Sequence, residues 1–124
     1  MLNDQRVLIV EDNVYLAMDI ASAVEDLDGR VAGPVATVAD ALQMIGDVEL
    51  SGAVLDYELP SGDVLPVARA LVARRVPFVI HACTMVAPEM AALRPGAPVL
   101  IKPIQPEDLV AILAHEVLRS QDAG

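Results

Sequence analysis

The chain has 124 residues, 55% of them hydrophobic, and a net charge of −10 with only eight basic residues. That length suits one domain around a single core, and the charge argues against nonspecific binding to DNA or RNA. No apolar run approaches the ~18 to 20 residues needed to span a bilayer, and a single cysteine, Cys83, excludes an internal disulfide and fits a reducing cytoplasm.

Short apolar runs alternate with helical periodicity along the chain. Met1 to Arg6 carries no signal-peptide pattern and leads into Arg6-Val7-Leu8-Ile9-Val10, a buried strand rich in β-branched residues. Ala17, Ile20, Ala21, Val24 and Leu27 then repeat at helical spacing, with Asn13 or Asp12 as N-cap and Gly29 as the stop. Val31 to Val35 is a weaker strand, interrupted by Gly33-Pro34 and so expected near a sheet edge. Val38, Ala41, Leu42 and Ile45 mark a second helix, capped by Thr37. Ala53-Val54-Leu55-Asp56 is the third strand, and Pro60-Ser61-Gly62-Asp63 turns into a helix on Val64, Val67, Ala68, Leu71 and Val72.

Pro77 to Ala82 reads as the fourth strand, and the prolines that follow leave room for a short helix around 88 to 93. Val99-Leu100-Ile101 is the fifth strand. Pro106-Glu107-Asp108 opens a last helix with acids at its N-terminus, carried by Leu109, Ile112, Leu113 and Val117. Five βα units imply an α/β fold, a doubly wound five-stranded parallel sheet with helices on both faces. Residues 1–120 are expected to form the single domain, and 121–124 a short C-terminal tail.

Ligands of an open parallel sheet bind beyond the carboxyl ends of its strands. Strand one ends in Glu11-Asp12, strand three in Asp56 and strand five in Lys102, the only lysine of the chain. A compact ammonium suits a phosphoryl oxygen or a carboxylate. Three carboxylates at one rim repel one another unless a cation sits among them, and hard oxygen ligands suit Mg²⁺. Taken singly, each residue has a plainer reading: Asp12 as a helix cap, Glu11 solvated, Lys102 snorkelling on the surface.

Val10-Glu11-Asp12-Asn13, Leu55-Asp56-Tyr57-Glu58-Leu59-Pro60 and Lys102-Pro103 resemble the three signature segments of the receiver domain of two-component response regulators, in its single-domain form. The resemblance covers nearly the whole chain and implies a flavodoxin-like sheet of order 2-1-3-4-5. It implies that Asp56 accepts a phosphoryl group from a phosphohistidine on a histidine kinase or phosphotransfer protein. Glu11, Asp12, Asp56 and the backbone carbonyl of Glu58 would then hold Mg²⁺, and Lys102 would pair with Asp56 or a phosphoryl oxygen. Such a cytoplasmic bacterial protein catalyses only its own phosphorylation and dephosphorylation. It signals through a downstream protein target, with a homodimer as one mode and no role for nucleic acid or membrane.

Two positions depart from that family. Ala82 stands where a Thr or Ser hydroxyl is usual, and Val99 where an aromatic residue usually precedes the lysine. Thr84, two residues on, is a candidate surrogate hydroxyl if the strand continues, with a surface or turn Thr as the stronger reading. His81 is expected to be packed or hydrogen-bonded, Cys83 to be small and buried, His115 to lie on a polar face, and Tyr57 to be able to gate access. A pseudo-receiver without productive phosphorylation is the competing reading. A haloacid-dehalogenase-type phosphatase is remote, because Glu58 stands where that class needs a second Asp and the nucleophile ends the third strand.

Overall fold

Strands and helices alternate without exception in a computed structural model that describes residues 1–123. They are β1 (Arg6–Val10), α1 (Val14–Asp26), β2 (Arg30–Val35), α2 (Val38–Asp47), β3 (Gly52–Asp56), α3 (Leu65–Ala73), β4 (Phe78–Ala82), α4 (Pro88–Leu93), β5 (Val99–Ile101) and α5 (Pro106–Ala123). The five strands form one sheet, all parallel, in the order β2-β1-β3-β4-β5. The flavodoxin-like order expected from the signature segments is therefore the order found. β2, with its Gly33-Pro34 interruption, is an edge strand, where a residue without an N–H costs no ladder bond.

Strand alternation divides the core into two layers. Val7, Ile9, Val54 and Val79 point to one face and pack with Ile20 and Val24 of α1 and with Leu109 and Leu113 of α5. Leu8, Val10, Leu55 and Ile80 point to the other, against Ala41 and Ile45 of α2, Val67 and Leu71 of α3 and Met90 of α4. Every residue of β3 and β4 is buried, which is why these strands read as unbroken apolar runs.

Local chemistry sets the helix ends. Asn13 caps α1, its Oδ1 accepting from the Leu16 N–H at 3.1 Å, and Thr37 Oγ1 caps α2 by accepting from Asp40 N–H at 3.1 Å. The stop after α1 differs from expectation. Asp28, not Gly29, takes the left-handed conformation, with φ of 63°, a state that a short polar side chain tolerates. Gly29 is demanded by packing instead: a Cβ there would lie 2.7 Å from Leu2 Cδ1 and 2.8 Å from Val24 Cγ1. A second correction concerns the C-terminus. α5 runs on through Ala123, so residues 121–123 extend the helix rather than form a tail, and Gly124 falls outside the described residues.

The topology also gathers most of the arginines at one rim. Arg6 and Arg30 begin strands, Arg74, Arg75 and Arg94 follow helix ends, and Arg119 lies near the end of α5. All six therefore lie toward the rim where strands start. The rim where strands end carries Glu11, Asp12, Asp56 and Lys102.

Candidate functional site

Asp56 is the last residue of β3, the central strand, and is 2% exposed. Its Oδ1 accepts two hydrogen bonds, from Lys102 Nζ at 2.9 Å and from the backbone N–H of Glu58 at 3.1 Å. Lys102 follows β5 directly, and its N–H donates to the Ala82 carbonyl at 2.8 Å, so sheet pairing carries the ammonium to Asp56. Glu11 follows β1 and is also buried; its N–H donates to the Val35 carbonyl at 2.9 Å and its Oε2 accepts from the N–H of Asn13 at 3.1 Å. Asp12 is exposed. Glu11, Asp12 and Asp56 each present a carboxylate oxygen, and these oxygens all lie within 4.8 Å of one another.

Such a cluster is electrostatically incomplete on its own. Burial pushes Glu11 up to about 7, and the neighbouring Asp56 adds to this against the opposing Asn13 N–H and Lys102. Burial also acts to raise Asp56, but hydrogen bonds from Lys102, Glu11 and the Glu58 N–H together hold it below the ordinary carboxylate range. For Lys102, burial is outweighed by Asp56, Glu11 and Glu58, and the ammonium is held above its usual value. The two buried carboxylates are thus pushed apart, Glu11 toward its neutral form and Asp56 toward its ionised form. Oxygen-only donors, two of them buried at a rim open to solvent, fit a hard divalent ion such as Mg²⁺, which keeps part of its water.

A pH dependence follows. The folded-state value of Glu11 lies above its ordinary 4.5, so its stabilising contribution is complete below that value and is lost as pH rises through about 7. A bound cation must displace that proton. Mg²⁺ affinity is therefore expected to rise about tenfold between pH 6 and pH 8 and to level off above, as calorimetric titration at the two pH values would read. A flat profile would mean that Glu11 is not a ligand.

The departures from the signature pattern are also visible. Ala82 ends β4 fully buried, with its methyl group in the α2–α3–α4 core layer. Val99 is half-buried against the same layer. The chain leaves the sheet after Ala82, so Thr84 does not continue the strand; it is exposed, and its hydroxyl donates to the Met85 carbonyl at 3.4 Å. Cys83, expected to be buried, is exposed for the same reason.

His81 pairs in register with Asp56 across β3 and β4 and is buried, with no hydrogen-bond partner on either ring nitrogen. Burial above all, aided by Lys102, lowers its pKa and keeps the ring neutral, against the pull of Asp56 and Glu58. His115 is exposed on α5, as expected. The Tyr57 hydroxyl accepts from the Ala87 N–H at 2.9 Å, which ties the residue after Asp56 to the start of α4.

The side chain of Glu58 is the feature that sequence reasoning missed, having used only its backbone carbonyl. Its carboxylate reaches across to β4 and β5, accepting from the N–H of Cys83 at 3.1 and 3.0 Å and lying 3.5 Å from Lys102 Nζ. The signal was present as an acid two residues after Asp56. Its partners depend on two loops that meet only in three dimensions.

The five-stranded parallel α/β fold is one that other solved structures share. A response regulator receiver domain protein (CheY-like) from Methanospirillum hungatei superposes with a TM-score of 0.83 at 20% identity, over 97% of this chain and 98% of the other. A response regulator receiver protein from Sinorhizobium medicae gives 0.81 at 23% identity, over 97% and 99%. The receiver domain of a sensor histidine kinase from Pseudomonas aeruginosa, with a magnesium ion coordinated in its active-site cleft, gives 0.75 at 24% identity, over 91% and 97%. No protein-family model matches the chain, and neither does any curated protein. The fold is that of a CheY-like response regulator receiver domain, over nearly the whole chain. No described helix is long and apolar enough to cross a membrane.

Proposed function

We propose that this chain is a receiver domain that accepts a phosphoryl group on Asp56 and signals through protein contacts. The observation that carries the reading is the pairing of a buried, ionised Asp56 with Lys102 at 2.9 Å, beside two further carboxylates at the rim where the strands end. In the transfer, a carboxylate oxygen of Asp56 attacks the phosphorus of a phosphohistidine on a histidine kinase or phosphotransfer protein. A P–O bond forms, the P–N bond breaks, and the departing imidazole takes up a proton. Lys102 offsets charge on the transferring group, and the Glu58 N–H holds the nucleophile in place. When bound by Glu11, Asp12, Asp56 and the Glu58 carbonyl, Mg²⁺ neutralises charge on the phosphoryl oxygens.

Asp56 is thus a phosphoacceptor that catalyses only its own phosphorylation and dephosphorylation, in a cytoplasmic and bacterial setting. The loss of a hydroxyl at Ala82 removes one charge-assisted hydrogen bond, roughly 1.5 to 3 kcal/mol. The cation and Lys102 supply the larger part of the charge compensation. The test is intact-mass spectrometry after incubation with acetyl phosphate. The expected result is a phosphate adduct that needs Mg²⁺ and is absent from Asp56→Ala. If neither acetyl phosphate nor a cognate kinase yields an adduct, the pseudo-receiver reading replaces this one.

A further inference from the structure

Lys102 Nζ and the N–H of Cys83 converge on one point at the mouth of the site, and Glu58 supplies the anion there. The geometry is closer to a binding corner than to a surface ion pair. Both carboxylate oxygens accept from the backbone N–H of Cys83, at 3.1 and 3.0 Å, while Oε1 lies 3.5 Å from an ammonium that also holds Asp56 at 2.9 Å. An exposed ion pair alone would be worth little. A main-chain donor and a cation aimed together are what a phosphoryl or carboxylate oxygen seeks.

Ala82 adds to the argument. The β4 residue before Cys83 offers only a methyl group, so the Cys83 N–H is the donor that the end of this strand contributes. A phosphoryl group on Asp56 would carry about −1.5 to −2 charges and would draw on the same Lys102. It cannot share the corner with a carboxylate, because the two anions would repel at contact distance.

We infer that the Glu58 carboxylate is a resident anion that occupies the phosphoryl corner and must swing out when a phosphoryl group enters. The side chain is 36% exposed, so rotation about its own torsions carries it into solvent with the backbone in place. Entry of the phosphoryl group then exchanges the hydrogen-bond partner of Cys83, the first residue of the connection from β4 to α4. The inference rests on Asp56 being the phosphoacceptor, and it adds an autoinhibitory contact to that reading.

Glu58→Ala empties the corner, whereas Glu58→Gln keeps an acceptor for the Cys83 N–H and removes only the charge. The probe is inorganic phosphate with saturating Mg²⁺, followed by the amide shift of Cys83 in ¹⁵N-labelled protein, with circular dichroism as the folding control. Both variants are expected to bind phosphate about tenfold more tightly than the wild type. Unchanged affinity in both overturns the inference. Tighter binding in Glu58→Ala alone also overturns it, since that result assigns Glu58 a hydrogen-bonding role in the loop. Acetyl phosphate labelling of the same samples judges the underlying reading separately. If the variants bind phosphate more tightly but neither acetyl phosphate nor a cognate kinase gives any sample a covalent adduct, the resident anion stands and the phosphoacceptor reading falls.

Discussion

Lys102→Met is expected to slow phosphorylation of Asp56 by acetyl phosphate by about 10² to 10³-fold at saturating Mg²⁺, the usual cost of removing one preorganised charge from a transferring group. Methionine keeps the apolar length of the stem and deletes the ammonium that lies 2.9 Å from Asp56 Oδ1 and 3.5 Å from Glu58 Oε1. Arg is a poor substitute, because its planar fork cannot place a point charge between two carboxylates. Initial rates of adduct formation by intact mass would measure the effect. A loss smaller than about fivefold would remove Lys102 from the transfer and leave it a structural partner of Asp56. The assay separates the two roles because a structural loss would also broaden thermal unfolding.

The largest effect on stability is expected at Phe78. Phe78→Ala should lower the free energy of unfolding by about 3 to 5 kcal/mol, a large share of the ~5 to 15 kcal/mol that ordinary domains possess. Phe78 opens β4, is 1% exposed and heads the largest fully buried side chains of the chain. Its ring also carries the Arg94 guanidinium, 5.8 Å from the centroid, while Arg94 Nη1 donates to the Phe78 carbonyl at 3.3 Å. Arg94 is further tied to Glu116 of α5 at 3.4 Å, and Glu116 is held by Arg119 at 3.1 Å. The substitution therefore opens a cavity and removes the face on which Arg94, the partner of the buried Glu116, rests. Urea unfolding should show a lower midpoint with the slope preserved. A loss under about 1.5 kcal/mol would mean that the α3–α4 side collapses to fill the space.

The parts of this molecule that were legible in its sequence are those fixed by local pattern. β1 and β3 announce themselves as short apolar runs leading into acids, and Lys102 as a lone amine after an apolar run. Parallel topology then brings strand ends together whatever the loops do. That is why Glu11, Asp12, Asp56 and Lys102 could be grouped without coordinates. Where loops decide, legibility fails. The exposure of Cys83 and the partners of the Glu58 carboxylate both depend on how the chain leaves β3 and β4, which no periodicity encodes. The stop after α1 was misassigned to Gly29 because glycine is the usual left-handed residue, yet here Asp28 turns and Gly29 yields space to Leu2 and Val24. Ser120-Gln121-Asp122 lack apolar spacing and so read as a tail, although nothing in them breaks a helix, and α5 continues through them.

The solitary lysine has a practical consequence for anyone studying the protein in solution. Lys102 Nζ is the one side-chain primary amine of this sequence. Acylating reagents consume only the deprotonated amine, and Lys102 is held protonated by the carboxylates around it against the effect of its partial burial. Its labelling yield is therefore a built-in gauge of what neighbours the ammonium, and it needs no introduced fluorophore or tag.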